Sequence, residues 1–336
     1  MRKLVYLGNK LSKKGKTETS IESLSEFLIQ DGFDVVTASD KRNRLVRLLH
    51  MCYVMIANSR TADYVLIDTY STLNFYYAYI ISLLCRIVNL KYIPILRGGN
   101  LPLRLINNPN MSRAIFNNAY TNVSPSDYLK SVFGEQGYSN VICIPNSIDI
   151  INYDFYERKI KIPKLLWVRS FSEIYNPEMA IEVVKELRAI QLDYELCMVG
   201  PEVDGSMSKA KKLAKELGIK VTFTGKLPKE DWIELSKNYN IFINTTNFDN
   251  MPLSVLEAMA LGLPVVSTNV GGIPFLMQDN MDGYLVGKND VSGMANKIMH
   301  ILDDSEKTRS IILKARKKVE GFDWNQVRVE WENLLK

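Results

Sequence analysis

Short apolar or β-branched runs alternate with helical patterns along almost the whole of this chain, and that alternation limits the folds open to it. The runs KLVYLG, FDVVTA, YVLIDT, KYIPIL, YTNVS and NVICIP occupy the first half, and KLLWV, YELCMVG, KVTFTG, NIFINTT, PVVSTN and GYLV the second. Between them stand amphipathic helical segments such as NPEMAIEVVKELRAIQ and SMSKAKKLAKELG. Strands that are apolar throughout are buried on both faces, so strand–helix alternation implies parallel sheets with helices on each side. The alternation restarts near residue 160, after the polar, proline-containing stretch IPNSIDIINYDFYERKIKIPK, which reads as a linker. A chain of 336 residues has room for two such domains.

The longest apolar stretch, FYYAYIISLLC at residues 75–85, runs into Arg86 and falls short of the roughly 20 residues that span a bilayer, so a buried helix is expected there. The N-terminus has neither the apolar run nor the small-residue site of a signal peptide. The four cysteines, at 52, 85, 143 and 197, are scattered in apolar surroundings, as core thiols in a reducing compartment would be. His50 and His300 are the only histidines, which argues against a histidine-based metal site. Residues 1–150 hold 17 Lys and Arg against 11 Asp and Glu, whereas the remainder holds 25 against 26. The positive surplus therefore belongs to the first half, where an anionic partner or a plain solvated face would explain it.

One short segment points toward nucleotide hydrolysis and fails the test. LGNKLSKKGKTETS contains Gly-Lys-Thr between a strand-like and a helix-like run. The phosphate-binding loop of nucleotide hydrolases needs a glycine separated from that triplet by four residues, and Lys10 occupies the position.

The chemistry is concentrated in residues 244–286, NTTNFDNMPLSVLEAMALGLPVVSTNVGGIPFLMQDNMDGYLV. A strand leads into a polar loop carrying Asp249. Pro252 then suits the first turn of a helix that runs to about Leu261 and holds Glu257, and Gly262 closes it. The N–H groups near Leu253 and Ser254, with the helix dipole, offer an anion site beside the two acids. A carboxylate can take paired hydroxyl donors from a sugar or ribose. Taken singly, Glu257 could equally be a solvent-facing helix residue and Asp249 a turn former.

This segment resembles the C-terminal signature of glycosyltransferase family 4, the retaining, nucleotide-sugar-dependent enzymes of the GT-B fold. The match is D-NMPLSVL-E-AMALGLPVVSTNVGG, with Asp249 in place of the usual first Glu. NVICIPNSIDIINY is similar to the family's inter-domain element, and FDWNQVRVEWENLL to its closing helix. The resemblance implies two Rossmann-like domains facing each other across a cleft, with an acceptor-side domain at 1–158 and a donor domain at 159–315. It also implies a helix at 316–336 that packs back onto the first domain. By resemblance, Asp249 contacts the donor sugar and Glu257 the nucleotide ribose. Two departures stand out. Ser170 and Tyr175 sit where Arg and Lys usually bind the diphosphate, leaving Arg169 and Lys226 as the candidate cations. Arg97, in PILRGGNLPLRL, sits where a histidine is usual, as a phosphate partner or a structural ion-pair member.

The implied site therefore places Asp249, Glu257 and Arg97 at the reaction centre. Donor binding falls to Gly15, Lys16, Arg169, Ser170, Lys226, Asn250, Met251, Pro252, Leu253, Ser254 and Glu257. The Gly-Lys-Thr of the first loop lies where the family has a Gly-Gly facing the donor. No D-x-D motif occurs, so neither a metal nor another cofactor is expected. The donor would be UDP- or GDP-linked and the acceptor a glycan or lipid-linked hydroxyl in surface polysaccharide assembly, with no nucleic acid involved. Rival readings are a nucleotide-sugar 2-epimerase of the same architecture and a non-catalytic nucleotide-sugar-binding module. A cytoplasmic protein is expected. The segment KRNRLVRLLHMCYVMIANSR, residues 41–60, mixes basic and apolar residues at roughly helical spacing. It fits peripheral docking on the anionic inner face of a membrane, or a core-facing stripe made by Leu48, Leu49, Tyr53 and Ile56.

Overall fold

The computed structural model describes residues 2–10 and 19–336, and the chain divides into two compact units, Met1–Pro145 with Arg328–Lys336 and Asn146–Val327. In the first unit the strands are β1 (Lys3–Leu7), β2 (Asp34–Ala38), β3 (Tyr64–Thr69), β4 (Tyr92–Leu96), β5 (Asn122–Ser124) and β6 (Val141–Cys143). They form one parallel sheet in the order β2-β1-β3-β4-β5-β6. The helices are α1 (Ser20–Gln30), α2 (Arg44–Asn58), α3 (Asn74–Ile87), α4 (Leu101–Asn107), α5 (Pro109–Phe116) and α6 (Asp127–Glu135). The apolar stretch at 75–85 is α3, which buries Phe75, Tyr77, Ala78, Ile81 and Cys85 in the unit's core. No helix among the described residues is long and apolar enough to cross a membrane.

The second unit holds β7 (Lys164–Val168), α7 (Pro177–Ala189), β8 (Glu195–Val199), α8 (Ser206–Glu216), β9 (Thr222–Gly225), α9 (Lys229–Ser236) and β10 (Ile241–Asn244). It continues through α10 (Leu253–Ala260), β11 (Val265–Thr268), α11 (Ile273–Leu276), β12 (Tyr284–Val286), α12 (Val291–Asp303) and α13 (Ser305–Glu320). The last helix, α14 (Trp324–Leu334), runs across the division. This sheet is also parallel, ordered β12-β11-β10-β7-β8-β9. Period-two alternation places Leu165, Trp167, Met198, Ile241 and Ile243 in one core, and Leu166, Cys197, Val199 and Phe242 in another on the opposite face. Both faces are dry, which is why these strands read as unbroken apolar runs.

Three expectations need correction. The division falls after Pro145 rather than after residue 158, because the segment expected to be a linker is tied into the second unit. Asn146 Nδ2 donates to the Met251 carbonyl, Ile148 N to Phe322 O and Ile150 N to Asp323 Oδ2. At the other end, only Arg328–Lys336 groups with the first unit, where Arg328 pairs with Asp31 at 3.6 Å. Helix α13 belongs to the second unit through its buried Ile311, Ile312, Ala315 and Val319. Finally, Leu49, Tyr53 and Ile56 of α2 are exposed and only Leu48 is half-buried, so the core-facing stripe is not what the structure contains.

Candidate active site

In a parallel sheet wound in both directions from its middle, the chain leaves adjacent strands toward opposite sides. The crevice beyond their carboxyl ends takes ligands. In the second unit those strands are β7 and β10. Arg169 follows the first of them directly, and the loop carrying Asp249 follows the second. The sheet order alone therefore brings these two residues together. Arg169 Nη2 and Asp249 Oδ2 form an ion pair in which both side chains are largely buried. The guanidinium also lies over the ring of Tyr175, 4.2 Å from its centroid. Tyr175 thus holds the guanidinium flat against its ring without adding a second charge.

The backbone on either side is fixed closely. Gly200 sits at φ +151°, and a Cβ there would fall on the Arg169 carbonyl. Gly271 (φ +54°) and Gly272 face the carbonyls of Asp249 and Asn250 with equally little room. Gly272 N donates to Asp249 O at 3.0 Å, and Asp249 Oδ1 accepts from Asn250 N at 2.8 Å. Thr245 Oγ1 accepts from Trp167 Nε1 at 2.9 Å and donates back toward the carbonyls of Tyr175 and Asn176. Thr268 Oγ1 donates to Thr246 O at 2.6 Å. The glycine pair therefore serves the acid loop: without side chains it lets that loop lie against the turn after β11.

Helix α10 begins one residue later than expected, with Pro252 as its N-cap, and ends at Ala260. A proline cap has no side-chain acceptor, so the first N–H groups are not satisfied locally. Among the described residues none accepts a bond from Leu253 N or Ser254 N, and the buried Ser254 Oγ has no partner. One turn on, Glu257 is buried, 7% exposed. Its Oε1 accepts from Tyr153 Oη at 2.8 Å and lies 3.2 Å from Lys229 Nζ. No hydrogen bond from the described residues reaches Oε2. The bland alternative of a solvent-facing Glu257 does not hold, since a buried carboxylate in this position is held by two named partners.

The first unit has its own switch point between β1 and β3. Buried Asp68, near the end of β3, accepts from Tyr6 Oη at 2.9 Å and from Arg97 Nε at 3.2 Å. Arg97 also donates to Tyr6 Oη at 3.4 Å, and its side chain is only 8% exposed. The expectation of Arg97 as a phosphate ligand is therefore revised: its guanidinium is engaged in a buried pair, because burial makes an uncompensated carboxylate costly. Burial pushes the Asp68 carboxyl above its usual range, against the pull of Arg97 and Tyr6. Arg97→Ala is expected to cost about 3–5 kcal/mol at neutral pH by leaving that carboxylate unpaired. A carboxyl whose folded-state pKa is raised loses stability as pH climbs from its unfolded value through the folded one. Urea melts should thus show a larger deficit for Arg97→Ala at pH 8 than at pH 5, and a pH-independent deficit would contradict this.

Residues 154–318, which carry all of these second-unit groups except Tyr153, match the family model of glycosyl transferases group 1. Over this segment, just under half of the chain, the sequence is similar to the group 1 glycosyl transferases. Among curated relatives, sulfoquinovosyl transferase SQD2 of Arabidopsis thaliana is 34% identical over 120 residues, 34% of this chain and 23% of that protein. The GalNAc-alpha-(1->4)-GalNAc-alpha-(1->3)-diNAcBac-PP-undecaprenol alpha-1,4-N-acetyl-D-galactosaminyltransferase of Campylobacter jejuni is 24% identical over 190 residues, 56% of this chain and 51% of that protein. The chain spans about half the length, or less, of the curated relatives it matches. A solved structure of HepE from Anabaena, in complex with UDP and glucose, superposes with a TM-score of 0.80 at 16% identity, covering 100% of this chain and 99% of that one. The fold is GT-B.

Within the matched segment, the structure brings Arg169 and Asp249 together, and sets Asn250, Met251 and Pro252 immediately before the helix start of Leu253 and Ser254. Asn250 and Met251 are buried, and Ser170 is partly so. Lys226 lies exposed beyond β9, two strands away from the switch point. Gly15 and Lys16 lie outside the described residues. Sequence reasoning missed two groups. Tyr153 was hidden in a segment taken for a linker. Lys229 stands at the first position of α9, where a helix dipole disfavours a cation and where Glu230 and Asp231 follow. That unfavourable placement was the available signal.

Proposed function

We propose that this chain is a retaining glycosyltransferase that moves a sugar from a nucleoside-diphosphate donor, UDP- or GDP-linked, to a hydroxyl of a glycan or lipid-linked acceptor. Surface polysaccharide synthesis is the setting that fits. The observation that carries the reading is the start of α10, where unsatisfied N–H groups and the Ser254 hydroxyl adjoin a loop acid and a buried helix acid. HepE was solved with UDP and glucose, and the Campylobacter relative is named for an undecaprenol-linked glycan. Both agree with a nucleotide-sugar donor and a lipid-linked acceptor.

In this reading Glu257 Oε2 takes the ribose hydroxyls, while Tyr153 and Lys229 hold the other oxygen and so fix the carboxylate's orientation. The departing diphosphate is stabilised by the N–H groups of Leu253 and Ser254, the helix dipole and Arg169. Arg169 would exchange part of its pairing with Asp249 for the diphosphate, freeing that acid toward the donor sugar. Asn250, Met251 and Pro252 shape the wall of the site, and Ser170 and Lys226 are secondary donor contacts. These cationic and backbone donors supply the charge stabilisation without a divalent ion. A thermal-shift screen against UDP, GDP, ADP and their sugars, followed by a transfer assay in EDTA, tests the reading. One base should raise the unfolding midpoint, by about 2.7 kcal/mol of linkage at a hundredfold excess over Kd, and transfer should survive EDTA. Strict dependence on a divalent ion would remove the metal-free part, and stabilisation by no nucleotide would remove the whole.

A further inference from the structure

Helix α2 departs from the usual amphipathic arrangement by being apolar on its outward side as well as on the side packed in the core. Its inward side carries Arg47, Met51 and Met55, all buried. The Arg47 guanidinium is satisfied there by the carbonyls of Lys41 and Arg42 and by Asn9 Oδ1. Its outward side carries the large apolar residues: Leu45 is 65% exposed, Leu49 60%, Tyr53 70% and Ile56 52%, with Val46 beside them at 48%. At 3.6 residues per turn these five fall within about 100° of one another, a single stripe along a helix roughly 22 Å long. In α7, by contrast, Met179, Ile181, Val183, Val184 and Leu187 are all buried.

The charge within the helix and its immediate flanks is positive, with Asp40 and Asp63 just outside them. Residues 41–62 contain Lys41, Arg42, Arg44, Arg47 and Arg60 and no Asp or Glu. Lys41, Arg42, Arg44 and Arg60 are exposed and stand at the two ends of the helix. An exposed apolar face with a surplus of cations at its ends, where Asp40 offsets Lys41 at 3.4 Å, and with a tyrosine in it, matches the boundary of an anionic bilayer. There acyl chains take the apolar side chains and headgroups take the arginines. From this geometry we infer that α2 docks the first unit onto an anionic lipid surface, lying in the plane of the interface. The inference extends the sugar-transfer reading without depending on it, since it uses none of the residues of the second unit.

The test is co-sedimentation of the intact chain with vesicles of phosphatidylcholine alone and of equimolar phosphatidylcholine and phosphatidylglycerol. Binding is expected to the anionic vesicles and to weaken with salt. Arg42→Gln with Arg60→Gln should lower it roughly fivefold per arginine. Leu49→Gln with Tyr53→Gln should lower it at least about tenfold. All four positions are exposed, so unfolding midpoints and nucleotide binding, measured on the same preparations, should not move. A nucleotide-competent chain that ignores anionic vesicles overturns the docking inference and leaves the enzymatic reading intact. Binding unaffected by Leu49→Gln with Tyr53→Gln overturns it too. So does a lipid-free dimer that the same double variant dissolves, which would assign the face to a second copy of the chain.

Discussion

Glu257→Gln is expected to lower kcat/KM for sugar transfer by roughly a hundredfold or more, the scale of losing a charged hydrogen-bond acceptor to substrate. The substitution is nearly isosteric. The amide oxygen can still accept from Tyr153, and only the attraction to half-exposed Lys229 is lost, so the fold should be little disturbed. Alanine is the poorer test. It would leave the Tyr153 hydroxyl and the Lys229 ammonium without their shared acceptor, with a stability cost of about 1–3 kcal/mol that would blur the functional loss. A fully active Glu257→Gln enzyme would mean that the helix acid is structural.

The second large effect is expected at a residue with no side chain. Gly271→Ala places a Cβ on the Asp249 carbonyl oxygen at a backbone φ of +54°. Backbone cannot give way as a flexible side chain does, so either the turn after β11 or the acid loop must move. The expected cost is about 2–3 kcal/mol, the range of strained backbone substitutions. For a unit of this size that lowers the midpoint by roughly 4–12 °C. Donor binding should fall with it, because the displaced loop carries Asp249 and Asn250 and abuts the start of α10. Wild-type stability together with wild-type activity in Gly271→Ala would show that the close approach of the two loops is unimportant.

The fold was legible because the central strands, such as β1, β3, β4, β10 and β11, are buried on both faces. Runs such as KLLWV and NIFIN carry no polar interruption, and each of the twelve runs named from the sequence contains a strand of the structure. Helix ends were less legible: Pro252 caps α10 instead of opening it. The acid loop and its glycines could be read because they are contiguous in sequence. What joins distant segments could not. Tyr153 meets Glu257 across 104 positions of sequence, and Arg169 meets Asp249 only because β7 and β10 are neighbours in the sheet. Arg97 looked like a ligand because an arginine beside two glycines reads the same whether its partner is a phosphate or the buried Asp68. The outward stripe of α2 was ambiguous for a related reason, since periodicity gives a face and says nothing of which way it points.

Isothermal titration of UDP and GDP into the intact chain, in EDTA, tests the central claim most directly, because it isolates binding at the start of α10 from acceptor and membrane. One of the two should bind at one site per chain, and both Arg169→Ala and Glu257→Gln should weaken it by about tenfold or more, the loss of one charged contact. Heat of binding from neither nucleotide, or an affinity that both substitutions leave unchanged, would contradict the account.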